Sequence, residues 1–407
     1  MDEKTPAYYE TLIKDEWSYS KGAVIMAVLA TSLMAFAGGW GVSGILSAWG
    51  GKFFGLFGVG LDGWLKKDLS TFNPLGQETM TNAGIAFGAL ISCLLAGQWK
   101  IRHVKSIRQV WAAILGGLLM GIGSRIGPGC NIGGMFSAIP AFSLSGWVFF
   151  VFVFLGSISG GKLLPYFIPP VSHERRLKTK KSAPGQLKQK RNVQIALGIL
   201  LIMVCLAFAG AAGRTAPSAG LMLFTGLGLG YTLRRSRFCF TSAFRDPTLT
   251  GETKLTKALL VALGVSTIGF AGVHISRYGV DLSKLPENMG ALARPIGLHL
   301  VIGAFLFGLG AVLAGGCASG TLMRFGEGYV QNALAFTAFV LGAIIGDGLY
   351  AGPVKENPFL YSGKGVYLPA VLGGYGPVIL IQLSALGLLW IIADWREKKK
   401  SAGFGKG

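Results

Sequence analysis

Acidic side chains are scarce in this chain: 18 Asp and Glu stand against 38 Lys and Arg among 407 residues, and charged residues of either sign make up only 14%. A soluble globular domain carries about 25% charged residues, so the composition excludes an ordinary soluble fold. Histidine is rarer still, with 4. The five cysteines Cys93, Cys130, Cys205, Cys239 and Cys317 show neither C-x-x-C spacing nor paired histidines. Neither a zinc site nor a disulfide framework is supported. No G-x-x-x-x-G-K-[ST] run occurs, which argues against nucleotide hydrolysis. No cofactor and no metal are expected. A cleavable signal peptide is missing as well, because Met1 to Lys21 holds Asp2, Glu3, Glu10, Asp15 and Glu16 where a signal would be short and basic. The first apolar span is expected to do the targeting.

What the chain has is apolar length. It is 51% hydrophobic, with a mean hydropathy of +0.54, and its nearly uncharged windows match the roughly 20 residues that cross a ~30 Å hydrocarbon core. Spans are expected near 22–39, 82–98, 110–124, 144–161, 193–213, 217–232, 257–274, 295–314, 331–351 and 376–394. The net charge of +20 sits in short segments between these runs, which points to positive-inside topology rather than nucleic acid. Lys100, Arg102, Lys105 and Arg108 follow the second span, nine Lys or Arg lie from Lys162 to Arg191, and Arg396, Lys398, Lys399 and Lys400 follow the last. An alternating ten-span path puts all three groups, and both termini, in the cytoplasm. The resulting organisation is a cytoplasmic segment at 1–21, a first transmembrane repeat at 22–162, a basic cytoplasmic linker at 163–192 around the solvated stretch Arg175 to Asn192, a second repeat with extra spans at 193–394, and a basic tail at 395–407. The fold class is an all-α polytopic membrane protein.

Four glycine-rich stretches interrupt the apolar pattern: Trp40 to Gly44, and three that each carry one cysteine, Cys130, Cys239 and Cys317. Residues 121–134 hold six glycines and Pro128, too many breakers for a continuous helix. In hydrocarbon an unpaired amide costs several kcal/mol, so broken helices at membrane depth are buried in protein or line a solute path. The breaks recur in the same order in each half, two opening outward and two inward, the pattern of an inverted repeat with its site near the midplane. A helix restarting after Pro128 could aim free amides at an anion.

Candidate contacts for a small anion are the thiols Cys130, Cys239 and Cys317, with Asn131, Arg125, Arg237, Ser319 and Thr321 beside them. A desolvated thiol stays neutral and is a soft, weak donor suited to a polarisable sulfur or selenium anion; as a thiolate it could instead exchange sulfur. Packing is the competing role for an isolated cysteine, and it is the one expected for Cys93 and Cys205 inside apolar runs. Arg234 and Arg235 fit either attraction of an anion at the inner mouth or positive-inside anchoring, Glu327 is placed to pair with Arg324 one turn away, and Asp347 sits at a span end, either interfacial or a proton carrier.

The runs Gly-Pro-Gly-Cys-Asn-Ile-Gly-Gly at 127–134, Phe-Cys-Phe-Thr-Ser-Ala-Phe-Arg-Asp at 238–246 and Leu-Ala-Gly-Gly-Cys at 313–317 resemble the YeeE/YedE sulfur-transport family over most of the chain. Leu56 to Gly60 and Ile139 to Leu144 look closer to its selenium-associated YedE branch. The resemblance implies an hourglass-like inner-membrane fold of a bacterium or archaeon, with re-entrant broken helices and passage of a thiosulfate-like or selenium-containing anion by successive thiol contacts. Thiosulfate importers of the family carry a cysteine in the first break; Trp40 to Gly44 has none. The expected partners are that anion, membrane lipid and, as a candidate, a cytoplasmic sulfur-carrier protein, with no nucleic acid. A membrane thiol enzyme and a passive small-solute channel are the alternatives.

Overall fold

In a computed structural model, which describes residues 9–66, 69, 72–167, 184–279, 293–361, 363 and 365–404, every expected span is a helix. The helices are α1 (Tyr19–Ala37), α2 (Leu46–Gly55), α3 (Gln77–Leu95), α4 (Ile107–Ile126), α5 (Leu144–Phe167), α6 (Pro184–Thr215), α7 (Pro217–Arg235), α8 (Phe240–Leu249), α9 (Lys254–Tyr278), α10 (Leu298–Ala314), α11 (Ala318–Gly326), α12 (Val330–Leu349) and α13 (Tyr375–Phe404). A π-helical turn, Asn131–Phe136, lies between α4 and α5. Among the described residues there are no strands, only three isolated bridges. Nine helices, counted among the described residues, are long and apolar enough to cross a membrane. The span read at 217–232, now α7, is not one of them, because four glycines and the terminal Arg234 and Arg235 lower its hydropathy.

Helix boundaries follow local chemistry. The Ser18 and Ser106 hydroxyls accept from the amides of Lys21 and Gln109, each at 3.3 Å, and so cap α1 and α4. Pro184 opens α6, where a missing N–H costs nothing. The stretch read as a solvated connector is therefore helical from residue 184 onward, and the 163–192 boundary also cuts α5, which runs to Phe167; residues 168–183 lie outside the described set. The tail at 395–407 begins as a continuation of α13, which ends at Phe404. Of the N-terminal segment, residues 1–8 lie outside the described residues. The remainder folds onto the helix ends: the Tyr9 hydroxyl donates to the Leu95 carbonyl at 2.8 Å, and the Trp17 amide to the Arg235 carbonyl at 2.9 Å.

Small residues set how closely the spans approach. Association in lipid lacks a hydrophobic drive and depends on close packing, which glycine permits. A Cβ on Gly84 of α3 would stand 2.8 Å from Gly226 of α7, one on Gly310 of α10 would stand 2.6 Å from the Gly116 carbonyl of α4, and one on Gly127 would stand 2.9 Å from Gly303. The main packing pairs are α3 with α7, α1 with α9, α4 with α12, α5 with α10, and α4 with α10. Exchanging α1, α2, α3, α4 and α5 for α7, α8, α9, α10 and α12 maps these pairs onto one another, and maps the α2–α12 contact onto α8–α5. Helices α6 and α13 stand outside this scheme, α6 against α7 and α3, α13 against α9.

Contacts between loops and helix termini sort into two ends. At one, Arg102 pairs with Tyr329 and Lys257 binds Asp394 and Glu397. At the other, Pro295 pairs with Gly365, Ser143 with Tyr367, and Arg277 reaches the Ala35 carbonyl.

Candidate functional site

Each of the three expected cysteines occupies the same structural position. Cys130 precedes the π-helical turn, Cys239 precedes α8 and Cys317 precedes α11, each with extended backbone at the N-cap and no side-chain capping bond. Their carbonyls accept from the amides four residues on: Gly134 at 2.7 Å, Ala243 at 3.0 Å and Thr321 at 2.7 Å. A helix start leaves its first amides unfilled and carries a partial positive charge. All three thiols are free and buried, with exposures of 1%, 7% and 1% in chain order. They lie in one core cluster.

An aromatic chain binds three breaks together. Trp40 meets Phe136 edge-on with ring centroids 6.4 Å apart, Phe136 meets Phe240 at 5.5 Å, and Phe240 meets Phe238 at 5.3 Å. The Ser137 hydroxyl donates to the Trp40 carbonyl at 2.6 Å, tying the first break to the second. Three polar atoms on this framework are buried without a hydrogen-bond partner: Trp40 Nε1, Asn131 Oδ1 and Thr241 Oγ1. Leaving such a group unfilled costs about 1–3 kcal/mol. Trp40 supplies an N–H donor in the break that lacks a thiol. The missing cysteine is visible in the sequence, whereas no motif marks the indole.

Ser319 Oγ lies 3.4 Å from Cys317 Sγ, while the Thr321 hydroxyl donates to the Gly316 carbonyl at 3.3 Å. Arg125 is committed elsewhere. Its Nε donates to Asp347 at 2.6 Å, and its Nη1 reaches the Ser43 and Gly44 carbonyls of the first break at 3.4 and 3.3 Å. Asp347, which also accepts from the Ser47 hydroxyl, is buried rather than interfacial. Arg237 pairs with Glu16 and is 63% exposed. It occupies the left-handed region at φ 49°, where the Phe238 amide closes α7 onto the Leu233 carbonyl at 3.1 Å, a position glycine usually fills.

Other expected pairings resolve differently. Glu327 pairs with Arg234 at 3.1 Å, not with Arg324, whose guanidinium lies over the Tyr329 ring. Arg234 Nε also donates to Cys93 Sγ at 3.1 Å, so Cys93 accepts a bond as well as packing. Arg235 is fully buried and donates to the Asp15 carbonyl at 2.6 Å. Both arginines thus act within the bundle end, not at a lipid surface.

One further basic residue lies beside the Cys130 turn. Arg294, in the segment before α10, packs on the Cys130 turn: a Cβ on Gly129 would stand 2.8 Å from its Nη1, and one on Gly133 3.7 Å from its Nη2. No motif marks it in the sequence.

A family model described as sulphur transport matches residues 2–159 and 235–404. The chain belongs to the sulphur transport (YeeE/YedE) family. The stretch that the family model leaves out contains the linker, α6 and nearly all of α7. Similar to this family member over nearly its whole length is the probable transporter YedE of Escherichia coli (strain K12), 33% identical over 393 residues, 94% of this chain and 93% of the relative. The thiosulfate transporter TsuA of Spirochaeta thermophila is 34% identical over 187 residues, 42% of this chain and 54% of that protein. TsuA of Escherichia coli (strain K12) is 38% identical over 124 residues, 30% of this chain and 33% of the relative.

Proposed function

We propose that this membrane protein takes up a small sulfur- or selenium-containing oxyanion through a central constriction formed by the four breaks. The observation that carries the reading is that three buried thiols, each at a helix start, share one core with unfilled donors at Trp40 and Thr241. A neutral thiol contacts the soft chalcogen end of the anion without repelling it, the indole and hydroxyl donors receive its oxygens, and the starts of α8 and α11 favour its charge. The family's description as sulphur transport and the names of its YedE and TsuA relatives support a sulfur anion as cargo, and a transporter rather than an enzyme.

The interchange of packing pairs between the halves supports an inverted repeat of 22–162 and 193–394, with α6 and α13 as additions and the short helices as re-entrant elements. The first two breaks then face outward and the Cys239 and Cys317 breaks inward, with both termini in the cytoplasm of a bacterium or archaeon. Cytoplasmic consumption of the anion by a sulfur-carrier protein provides one source of direction.

Uptake of labelled thiosulfate, selenite and selenate into proteoliposomes tests the reading with Cys130→Ala, Cys239→Ala and Cys317→Ala. Loss of uptake in these variants, with Cys205→Ala active, is expected. Undiminished transport in all three would end the thiol-contact mechanism, and a disulfide forming between any two during turnover would favour a thiol enzyme.

A further inference from the structure

Arg294 differs from the other arginines near the breaks in having nothing to hold. Arg125 is bound to Asp347, Arg237 to Glu16 and Arg234 to Glu327. Arg294 makes no hydrogen bond and no ion pair among the described residues, although it is partly buried against the turn that carries Cys130. Its backbone is fixed on the C-terminal side. Pro295 bridges to Gly365, and the next helix is anchored where the His299 amide donates to the Leu360 carbonyl at 3.1 Å. The guanidinium has room on this turn because residues 129 and 133 are glycines; a side chain at 129 would collide with Nη1.

The charges acting on Arg294 are mixed. Glu78 attracts it, Arg125 opposes it, and Cys130 and Tyr350 are also in range. Glu78 is itself engaged against the first break, its Oε1 3.3 Å from where a Cβ on Gly41 would lie. Arg125 is neutralised by Asp347. A partly accessible guanidinium with no bonded partner on this turn is open to an anion. Its planar fork offers two parallel donors, which match two oxygens of a tetrahedral oxyanion.

We propose that Arg294 and Cys130 together form the loading site of the pathway, with the guanidinium holding the oxygen end of the anion and the thiol facing its soft end. The inference rests on the uptake reading and narrows its substrate class to dianions with at least two terminal oxygens and one exposed sulfur or selenium. It also assigns the selection of anion charge to a residue outside the four breaks.

The test is equilibrium binding of labelled thiosulfate to the purified full chain, with sulfate as competitor, for wild type, Arg294→Gln, Arg294→Lys and Arg277→Gln. Losing charge-assisted bonds should weaken thiosulfate binding about 10- to 100-fold in Arg294→Gln. Arg294→Lys, which keeps the charge but not the fork, should fall between it and wild type, and Arg277→Gln should bind as wild type does. If Arg294→Gln does not fold, Arg294→Lys is decisive, since wild-type affinity there would overturn the two-point assignment. Binding within twofold of wild type in both Arg294 variants overturns this inference and leaves the uptake reading standing. A wild-type protein that neither binds nor transports thiosulfate or any selenium oxyanion overturns both.

Discussion

Replacing Arg125 by methionine removes a guanidinium from a buried carboxylate, and the structure indicates how much that should cost. The Asp347 side chain is 4% exposed and that of Arg125 17%, with 2.6 Å between Nε and Oδ1. The pair ties the end of α4 to α12, and through the Ser43 and Gly44 carbonyls to the first break. Removing one partner of a buried pair costs about 3–5 kcal/mol, whereas replacing both by apolar residues is often neutral. Arg125→Met should therefore lose about 3–5 kcal/mol in denaturant unfolding of the micelle-bound protein. The double variant Arg125→Met/Asp347→Leu should recover to within about 1–2 kcal/mol of wild type, a coupling of roughly 2 kcal/mol or more in a double-mutant cycle. The double variant should also transport, because Arg125 braces the site without touching the anion. Additive costs would refute the pairing energetics; a double variant as stable as wild type but inactive in uptake would show that Arg125 meets the anion after all.

Trp40→Phe keeps an aromatic ring and deletes a buried donor without a partner, a gain of about 1–3 kcal/mol set against the cavity left by the smaller side chain, so thermal stability should change little while thiosulfate uptake falls; unchanged uptake would remove the indole from the pathway. Gly84→Leu places side-chain atoms where a Cβ already stands 2.8 Å from Gly226, and overpacking of about 1–3 kcal/mol should lower the unfolding midpoint. Arg237→Gly relieves a left-handed backbone at φ 49°, worth about 1–2 kcal/mol, against the about 0.4–1 kcal/mol of unfolded-chain entropy that a new glycine adds and the loss of the exposed Glu16 pair, so stability should hold or rise slightly; a clear loss of stability in calorimetry would show that the arginine does more than close α7.

The spans were legible because hydrocarbon demands long uncharged runs, and the breaks because glycine and proline interrupt them. The position of each cysteine at a helix start follows from the same local pattern. The arginines were not legible. Arg125 meets Asp347 222 residues away and Arg234 meets Cys93 141 residues away, so only the packing of α4 on α12 and of α3 on α7 decides which group meets which. Glu327 shows the limit of local rules: a partner one turn away was available, yet the helix packing presented Arg234. Arg294 had no signal at all, since its place on the Cys130 turn depends on the bridge from Pro295 to Gly365. The indole of Trp40 was visible as a residue, but its unfilled N–H is a property of the folded neighbourhood.

The central claim is that one anion meets the thiols and the oxygen-binding donors together. An anomalous-difference map of the protein bound to selenosulfate, in which selenium replaces the terminal sulfur, measures this directly. The account predicts a selenium peak within about 4 Å of the Cys130, Cys239 or Cys317 sulfur, with the oxygens turned toward Arg294 or Trp40. A selenium peak confined to the bundle periphery, or an anion bound with its selenium turned away from every thiol, would contradict it.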